Sequence, residues 1–196
     1  MESAKPGTGR QEIWRQEIRR QEIWWTLRAQ AGDREAFDRL FRLLQEPLYH
    51  YIFSLVGARA PAEDILQDVF ILIYRKIRWL REPELFRPWV YRIATREAFK
   101  HLKRERRWSD KTEDESVLLN LPAPSRDELS PEMISRLVAQ LVERLSPASR
   151  AVIVLHYLHE MPLAEIAEAL GVAVGTVKSR LAYGLDLMRR QSSVNQ

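Results

Sequence analysis

The sequence predicts an all-α chain: two small helical domains joined by a flexible acidic linker, the second carrying a helix-turn-helix. Three observations predict it. Ala, Leu, Arg and Glu are abundant, while 7 Gly and 10 Pro in 196 residues are too few for a many-turned β-sandwich. Apolar residues recur at helical spacing and no stretch alternates as a strand does. Charge changes sign along the chain. Residues 1–107 hold 22 basic and 15 acidic residues, 108–132 hold 2 and 7, and 133–196 hold 7 and 5. A basic front, an acidic middle and a mildly basic back describe two bodies and a connector, and a basic domain beside an acidic linker favours a nucleic-acid partner.

The elements follow in order. Residues 1–23 form an N-terminal extension in which RQEI occurs at Arg10–Ile13, Arg15–Ile18 and Arg20–Ile23. A step of five residues turns ~140° around a helix, so the isoleucines do not align and the extension reads as a solvated helix or a short tandem duplication, with a partner-binding arm as the sharper alternative. The first domain spans 24–107. Gly32-Asp33 punctuates it, and Asp33 is the expected N-cap of a helix to about Val56, with Pro47 inside it. Gly57 to Pro61 is a break, and Pro61 to Arg78 the next helix. Trp79–Phe86 holds Pro83 and reads as a loop. Pro88 then sits in the first turn of a helix running to about Arg107. Residues 108–130 are acidic, proline-bearing and aperiodic, which predicts the linker. In the second domain, 131–191, Ser130-Pro131-Glu132 and Ser146-Pro147 open helices. Pro162 starts a short one, Gly171 ends it, and the last runs from about Gly175 to Arg190.

Composition excludes several function classes. With no cysteine, disulfide scaffolds, thiolate zinc sites and cysteine nucleophiles are out. The longest apolar runs, Val69–Tyr74 and Ala151–Leu155, fall far short of the ~20 residues of a membrane span. The charged start has no signal-peptide core, so a cytoplasmic location is expected. No P-loop, GxGxxG or catalytic constellation is present, so neither an enzyme nor a cofactor is expected. His156 and His159 stand three apart but lack a third metal ligand, and read as a polar patch beside the core.

The clearest motif is LAEIAEALGVAVGTVKSRLA, Leu163–Ala182. Two helices meeting at a tight turn need a small residue where they touch and a residue tolerant of left-handed backbone at the turn. Ala167 and Gly171 fill these places. Ile166, Leu170, Val172 and Val177 supply the shared core, and Val177, Leu181, Leu185 and Met188 face inward. Thr176, Lys178, Ser179, Arg180, Ala182 and Tyr183 are placed outward, where they would meet a DNA major groove.

A second constellation lies on the helix from Arg87 to Arg107. Arg92, Arg96, Lys100, Lys103 and Arg107 fall within one ~80° sector together with Trp89, while Val90, Ala94, Ala98 and Leu102 face elsewhere. Cations on one stripe repel unless a polyanion is present. An aromatic at its head fits a surface that tracks phosphates and stacks on a base. On the preceding helix Glu63, Asp64, Gln67 and Asp68 share a face with Ile71 and Arg75, opposite Leu66, Val69 and Ile73. An acidic patch with an exposed isoleucine suits a basic helix of a protein partner. Each feature also has a plainer reading, as a helical hairpin or a solvated charged face.

Together these segments resemble an extracytoplasmic-function sigma factor of the sigma-70 family. The resemblance covers about residues 24–190. AEDILQDVFILIYR at 62–75 looks like the family's polymerase-binding helix, and FRPWVYRIATREAFKHLKRERR at 86–107 like its −10-element helix. LSPASRAVIVLHYLHEMPLAEIAEALGVAVGTVKSRL at 145–181 looks like its −35-reading domain. The resemblance implies a bacterial transcription initiation factor. It implies binding to core RNA polymerase through Asp64, Gln67, Asp68 and Ile71, against the clamp helices of the largest subunit. The loop 79–86 and helix 87–107 would open and hold the −10 element. Lys178, Ser179, Ala182 and Tyr183 would face −35 bases, with Thr176 and Arg180 on phosphates. The linker would thread the polymerase's RNA path, and an anti-sigma factor is a further expected partner. The chain departs from the family pattern in carrying cations at Arg96 and Lys100, where Asn and Asp or Asn are frequent. The RQEI repeat also has no counterpart there. Two rival readings explain parts of the chain: a helix-turn-helix regulator acting on duplex DNA without polymerase, and a helical protein-interaction module.

Overall fold

The computed structural model describes the backbone of residues 8–108 and 145–192, with side chains for 16–105, 145–187 and 190. Every regular element among them is helical. The linker expected over 108–130 lies outside the described residues except for Trp108, which ends a helix. The helix expected at Ser130-Pro131-Glu132 lies outside them too.

Helix α1 runs unbroken from Thr8 to Gln30, across the boundary expected at 23/24. The solvated reading of the repeat holds at 16–20, which are exposed, but fails in the next turn. Glu22 is 3% exposed and Thr26 is fully buried, its hydroxyl donating 2.7 Å to the Glu22 carbonyl. A buried carboxylate needs a cationic partner, and Glu22 finds it in Arg87 on another helix. Sequence periodicity carries no trace of such a distant pair.

Helix α2, Arg34–Val56, starts as expected. The Asp33 carboxylate accepts the Ala36 N–H at 3.2 Å, and this bond with the neighbouring Arg28 holds the carboxyl below its ordinary range. The helix continues through Pro47 and ends at Gly57, whose φ of 75° a side chain would resist. Helix α3, Arg59–Lys76, begins two residues before Pro61, which its first turn accommodates. The expected loop 79–86 is two short 3-10 turns, Ile77–Trp79 and Pro83–Leu85. The Gln30 amide pins the first by donating to the Ile77 and Leu80 carbonyls at 2.9 and 2.6 Å. Helix α4, Phe86–Trp108, buries Val90, Ala94 and Ala98 as its spacing predicts; Leu102 is only half-buried.

The second body begins with Ser146, whose hydroxyl accepts the Ser149 N–H at 3.2 Å and caps α5, Pro147–Ile153. The helix then widens into a π-turn, Val154–Leu158, which the sequence did not announce. Glu160 leaves it with a φ of 51°. Helices α6, Leu163–Leu170, and α7, Val174–Ser192, meet at Gly171, where φ is 67°. Both Ile166 and Val177 are fully buried between them.

The two bodies share one continuous apolar core. Helix α6 packs on α4, and α5 packs on α2. The Arg150 guanidinium, 5% exposed, donates to the carbonyls of Leu55 at 2.8 Å, Ser54 at 3.3 Å and Leu145 at 3.1 Å. It therefore satisfies the free carbonyls at the end of α2, where a cation also meets the negative end of the helix dipole. Beside it the Tyr91 hydroxyl and His159 Nδ1 share a hydrogen bond of 2.9 Å. The Tyr51 hydroxyl lies 2.6 Å from Thr95 Oγ1, and its ring meets that of Tyr91 edge-on.

This packing can be tested at Gly184. A Cβ there would lie 2.2 Å from Ile153 Cδ1 and 3.2 Å from its Cγ1. Overpacking costs about 1–3 kcal/mol, against about 1 kcal/mol of helix propensity gained. Gly184→Ala should thus destabilise, and Ile153→Val, which removes the clashing methyl, should rescue it; urea unfolding of the two singles and the double would give a favourable coupling energy.

His159 is the second case. Burial, with the positive charges of Arg87 and His50 nearby, lowers its pKa to about 4. The neutral ring is the folded form, so its contribution is complete above ~6.5 and is lost as pH falls toward 4, by about 3 kcal/mol at most. Denaturant midpoints between pH 7 and 4.5 should fall for the native chain and fall less for His159→Asn. Parallel curves would contradict this.

Candidate nucleic-acid interface

Helix α4 has two faces because its apolar and basic residues keep separate helical phases. On the outer face Arg96, Lys100 and Lys103 are exposed and lie in a row. Lys100 Nζ is 3.1 Å from the Glu97 carboxylate, and at 53% exposure such a pair exchanges readily for a phosphate. Arg92 belongs to the same row but is half-buried. Its Nε donates 2.9 Å to the Glu168 carbonyl, and Nη2 lies 3.1 Å from the Glu168 carboxylate on α6. The backbone of α4 extends past Arg107, whose side chain lies outside the described residues. Trp89 is half-buried, its ring 6.2 Å from that of Phe86, so it serves the core and shows part of its surface.

Sequence reasoning missed two exposed aromatic features of this domain. Phe99, Lys100, Lys103 and Arg104 line one shallow cavity of about 380 Å³, an aromatic set among three cations. Trp79 is 68% exposed on the 3-10 turn before α4, with the Arg78 guanidinium 5.8 Å from its ring centroid. An exposed tryptophan with arginines at 78 and 81 in a proline-bearing loop was the available signal.

On α3 the expected patch is assembled. Asp64, Gln67, Asp68 and Ile71 all lie on the outer side, Ile71 exposed by 49%, while Val69 and Ile73 are buried on the other. Glu63 is engaged instead by Arg59 at 2.8 Å. Tyr74, one turn after Ile71 and 59% exposed, extends the apolar part of the patch and leans edge-on against Phe37 of α2.

Helix α7 places Lys178 and Tyr183 outward and leaves Thr176, Ser179 and Arg180 half-buried. The Ser179 hydroxyl donates 3.0 Å to the Gly175 carbonyl, leaving its lone pairs to accept. Ala182 corrects the helical-wheel expectation: it is 4% exposed. It flanks Leu185 on the wheel, so the buried stripe is one position wider than its large apolar residues define. A methyl group gives no polar signal to either side. His156 and His159 do not converge. His156 Nδ1 lies 3.3 Å from the Met161 carbonyl and His159 turns to Tyr91. Among the described residues no group of three acidic or histidine side chains could hold a metal ion, and no helix is long and apolar enough to cross a membrane.

The surfaces are thus an acidic-apolar patch, a basic-aromatic row and a polar helix-turn-helix face, in chain order. Comparisons with known proteins identify the family. The family model "Sigma-70 region 2" matches residues 40–108 and "Sigma-70, region 4" matches 135–188. The ECF RNA polymerase sigma factor SigW of Bacillus subtilis is 31% identical over 171 residues, covering 82% of this chain and 90% of that protein. The RNA polymerase sigma-H factor of Pseudomonas aeruginosa is 32% identical over 164 residues, covering 79% and 84%. Among solved structures, CnrH in complex with the cytosolic domain of CnrY superposes with a TM-score of 0.67 at 21% identity, covering 90% of this chain and 99% of that one. RpoE of Bartonella quintana, in complex with the anti-sigma factor NepR, superposes with a TM-score of 0.61 at 22% identity, covering 82% and 98%. These last two share the fold. The chain belongs to the sigma-70 family, among its extracytoplasmic-function members, and is a transcription initiation sigma factor.

Proposed function

We propose that the chain binds core RNA polymerase through Asp64, Gln67, Asp68, Ile71 and Tyr74. It then lays the outer row of α4 along the −10 element and presents the outer face of α7 to the −35 element. The observation that carries this is the row Arg96, Lys100 and Lys103, set on one side of a helix whose other side is core. Cations fixed in a line by a rigid helix match the regular charge of a phosphate backbone. Trp89 and Phe99 on the same helix, and the exposed Trp79 on the turn before it, supply ring faces for unstacked bases, worth about 1–3 kcal/mol per base. On α7, Lys178 and Tyr183 are positioned for base edges, with Ser179 as an acceptor and Thr176 and Arg180 toward phosphates.

With Arg96 and Lys100 in the row, phosphate attraction carries more of the −10 affinity than base readout does. The reading assigns the chain no catalytic role, no cofactor and a cytoplasmic site of action. It includes an anti-sigma partner, as the NepR complex of a solved relative suggests. Co-purification with polymerase core subunits tests the reading as a whole. A chain that binds duplex DNA but never core polymerase would return it to the ordinary regulators.

The patch on α3 makes a direct prediction. Asp64→Lys/Asp68→Lys should weaken core binding at least tenfold, since like charges brought together at an interface cost several kcal/mol. Both positions lie on the solvent side of α3, so the thermal melt should stay unchanged. Undiminished core affinity in a titration would remove this face from the interface.

The row on α4 makes another. Every phosphate left without its cation lowers the log–log salt slope by about 0.7–0.9, so Arg96→Ala/Lys100→Ala should lower it by about 1.4–1.8 in holoenzyme–promoter titrations. An unchanged slope would take both residues off the DNA.

A further inference from the structure

The sigma-factor reading leaves most of the N-terminal helix without a task. We infer that α1 is a clasp: it holds the helix-turn-helix body shut on α4, in a closed state that must open before both promoter elements are read. The inference rests on assigning α4 and α7 to two separate elements.

The closed state follows from distances. Elements centred near −10 and −35 are about 25 base pairs apart, on the order of 85 Å along duplex DNA at ~3.4 Å per pair. Here α6 lies directly on α4, and α7 follows α6 across a single turn at Gly171. Helices are ~10–12 Å in diameter, so two packed layers separate the −10 and −35 surfaces by roughly 20 Å. No rotation of this body spans the gap. The docked α6 also occupies Arg92, the first cation of the row, through the Glu168 carbonyl and carboxylate. DNA and α6 therefore compete for one guanidinium.

The clasp follows from two charges on α1. Arg19 and Glu22 are three residues apart and share a side of the helix. Glu22, in the third RQEI unit, pairs with Arg87 of α4. Arg19, just before that unit, pairs with Glu165 of α6. One helix thus holds both bodies. The first pair, with Glu22 buried and Arg87 half-buried, lies within the first body, so it survives opening; the second crosses between bodies and breaks. A cavity of about 260 Å³, lined by Ile18, Arg19, Glu22, Arg87, Met161 and Glu165 among others, lies at this seam. Across it α1 reaches α6 through the Arg19–Glu165 pair, whose arginine is half exposed, and such a pair is readily broken and remade.

The chain has no cysteine, so dyes can be placed at will. Leu43→Cys on α2 and Arg190→Cys on α7 are exposed and outside the seam. Single-molecule energy transfer on the full chain should show a high-transfer population when free and a low-transfer one when bound to polymerase core. Arg19→Glu should raise the open-to-closed ratio of the free chain several-fold, and adding Glu165→Arg should restore it. A mere fold defect would not be rescued by that swap. A free chain already at low transfer, high transfer retained on core, or a ratio indifferent to Arg19→Glu would each overturn the clasp. Core binding is followed separately by gel filtration; if it is absent the polymerase reading fails, while the free-chain ratios still decide the clasp.

Discussion

The structure depends on one buried cation. Arg150 enters a site with 5% exposure and finds carbonyls from two bodies, Leu55 and Ser54 at the end of α2 and Leu145 before α5. A charge moved out of water costs several kcal/mol unless it is fully hydrogen-bonded. The last turn of a helix offers free carbonyls and the negative end of its dipole together. Gly57 ends α2 in the left-handed region and so leaves those carbonyls facing the seam. Neither partner is comfortable without the other. The α2 terminus would otherwise bury unsatisfied oxygens, and Arg150 would bury an uncompensated charge.

Around this contact the seam is polar in its detail and apolar in its mass. Tyr91, Tyr51, Thr95 and His159 form one polar group, in which the three rings also meet one another. Burial raises the pKa of both tyrosines, which therefore keep their hydroxyl protons, and lowers that of His159, whose ring therefore stays neutral. Polar groups that must find particular partners fix the register in which α6 lies on α4. Apolar burial alone would tolerate sliding.

The chain's local grammar was legible. Asp33, Ser146-Pro147, Pro162 and Gly171 each state a helix end through a mechanism confined to four or five residues, and each stands where it was read. The α3 and α4 faces were legible for the same reason, since helical phase needs only the residues of one helix. What was missed spans distance. Arg150 and Leu55 are 95 residues apart, Tyr91 and His159 68, Glu22 and Arg87 65. Nothing in a periodicity links them, so Glu22 read as one more solvated charge in a repeat. Ala182 failed differently: a methyl group has so little surface that a small widening of the core decides its side.

Arg92 shows how the two kinds of contact divide the work. Its guanidinium adds to the capping of α6 in the compact arrangement, donating to the Glu168 carbonyl that also accepts the Gly171 N–H. Along a promoter the same group would meet a phosphate, an acceptor of like geometry and greater charge. Exchanging one oxygen partner for another conserves most of the hydrogen-bond energy, so this contact resists separation of the bodies only weakly once DNA is near. Arg150 differs: its withdrawal from α2 gives up the bonds to the Leu55 and Ser54 carbonyls, while the bond to Leu145 stays within its own body. A seam biased in this way yields most easily on its α4 side, where a phosphate can replace the Glu168 carbonyl.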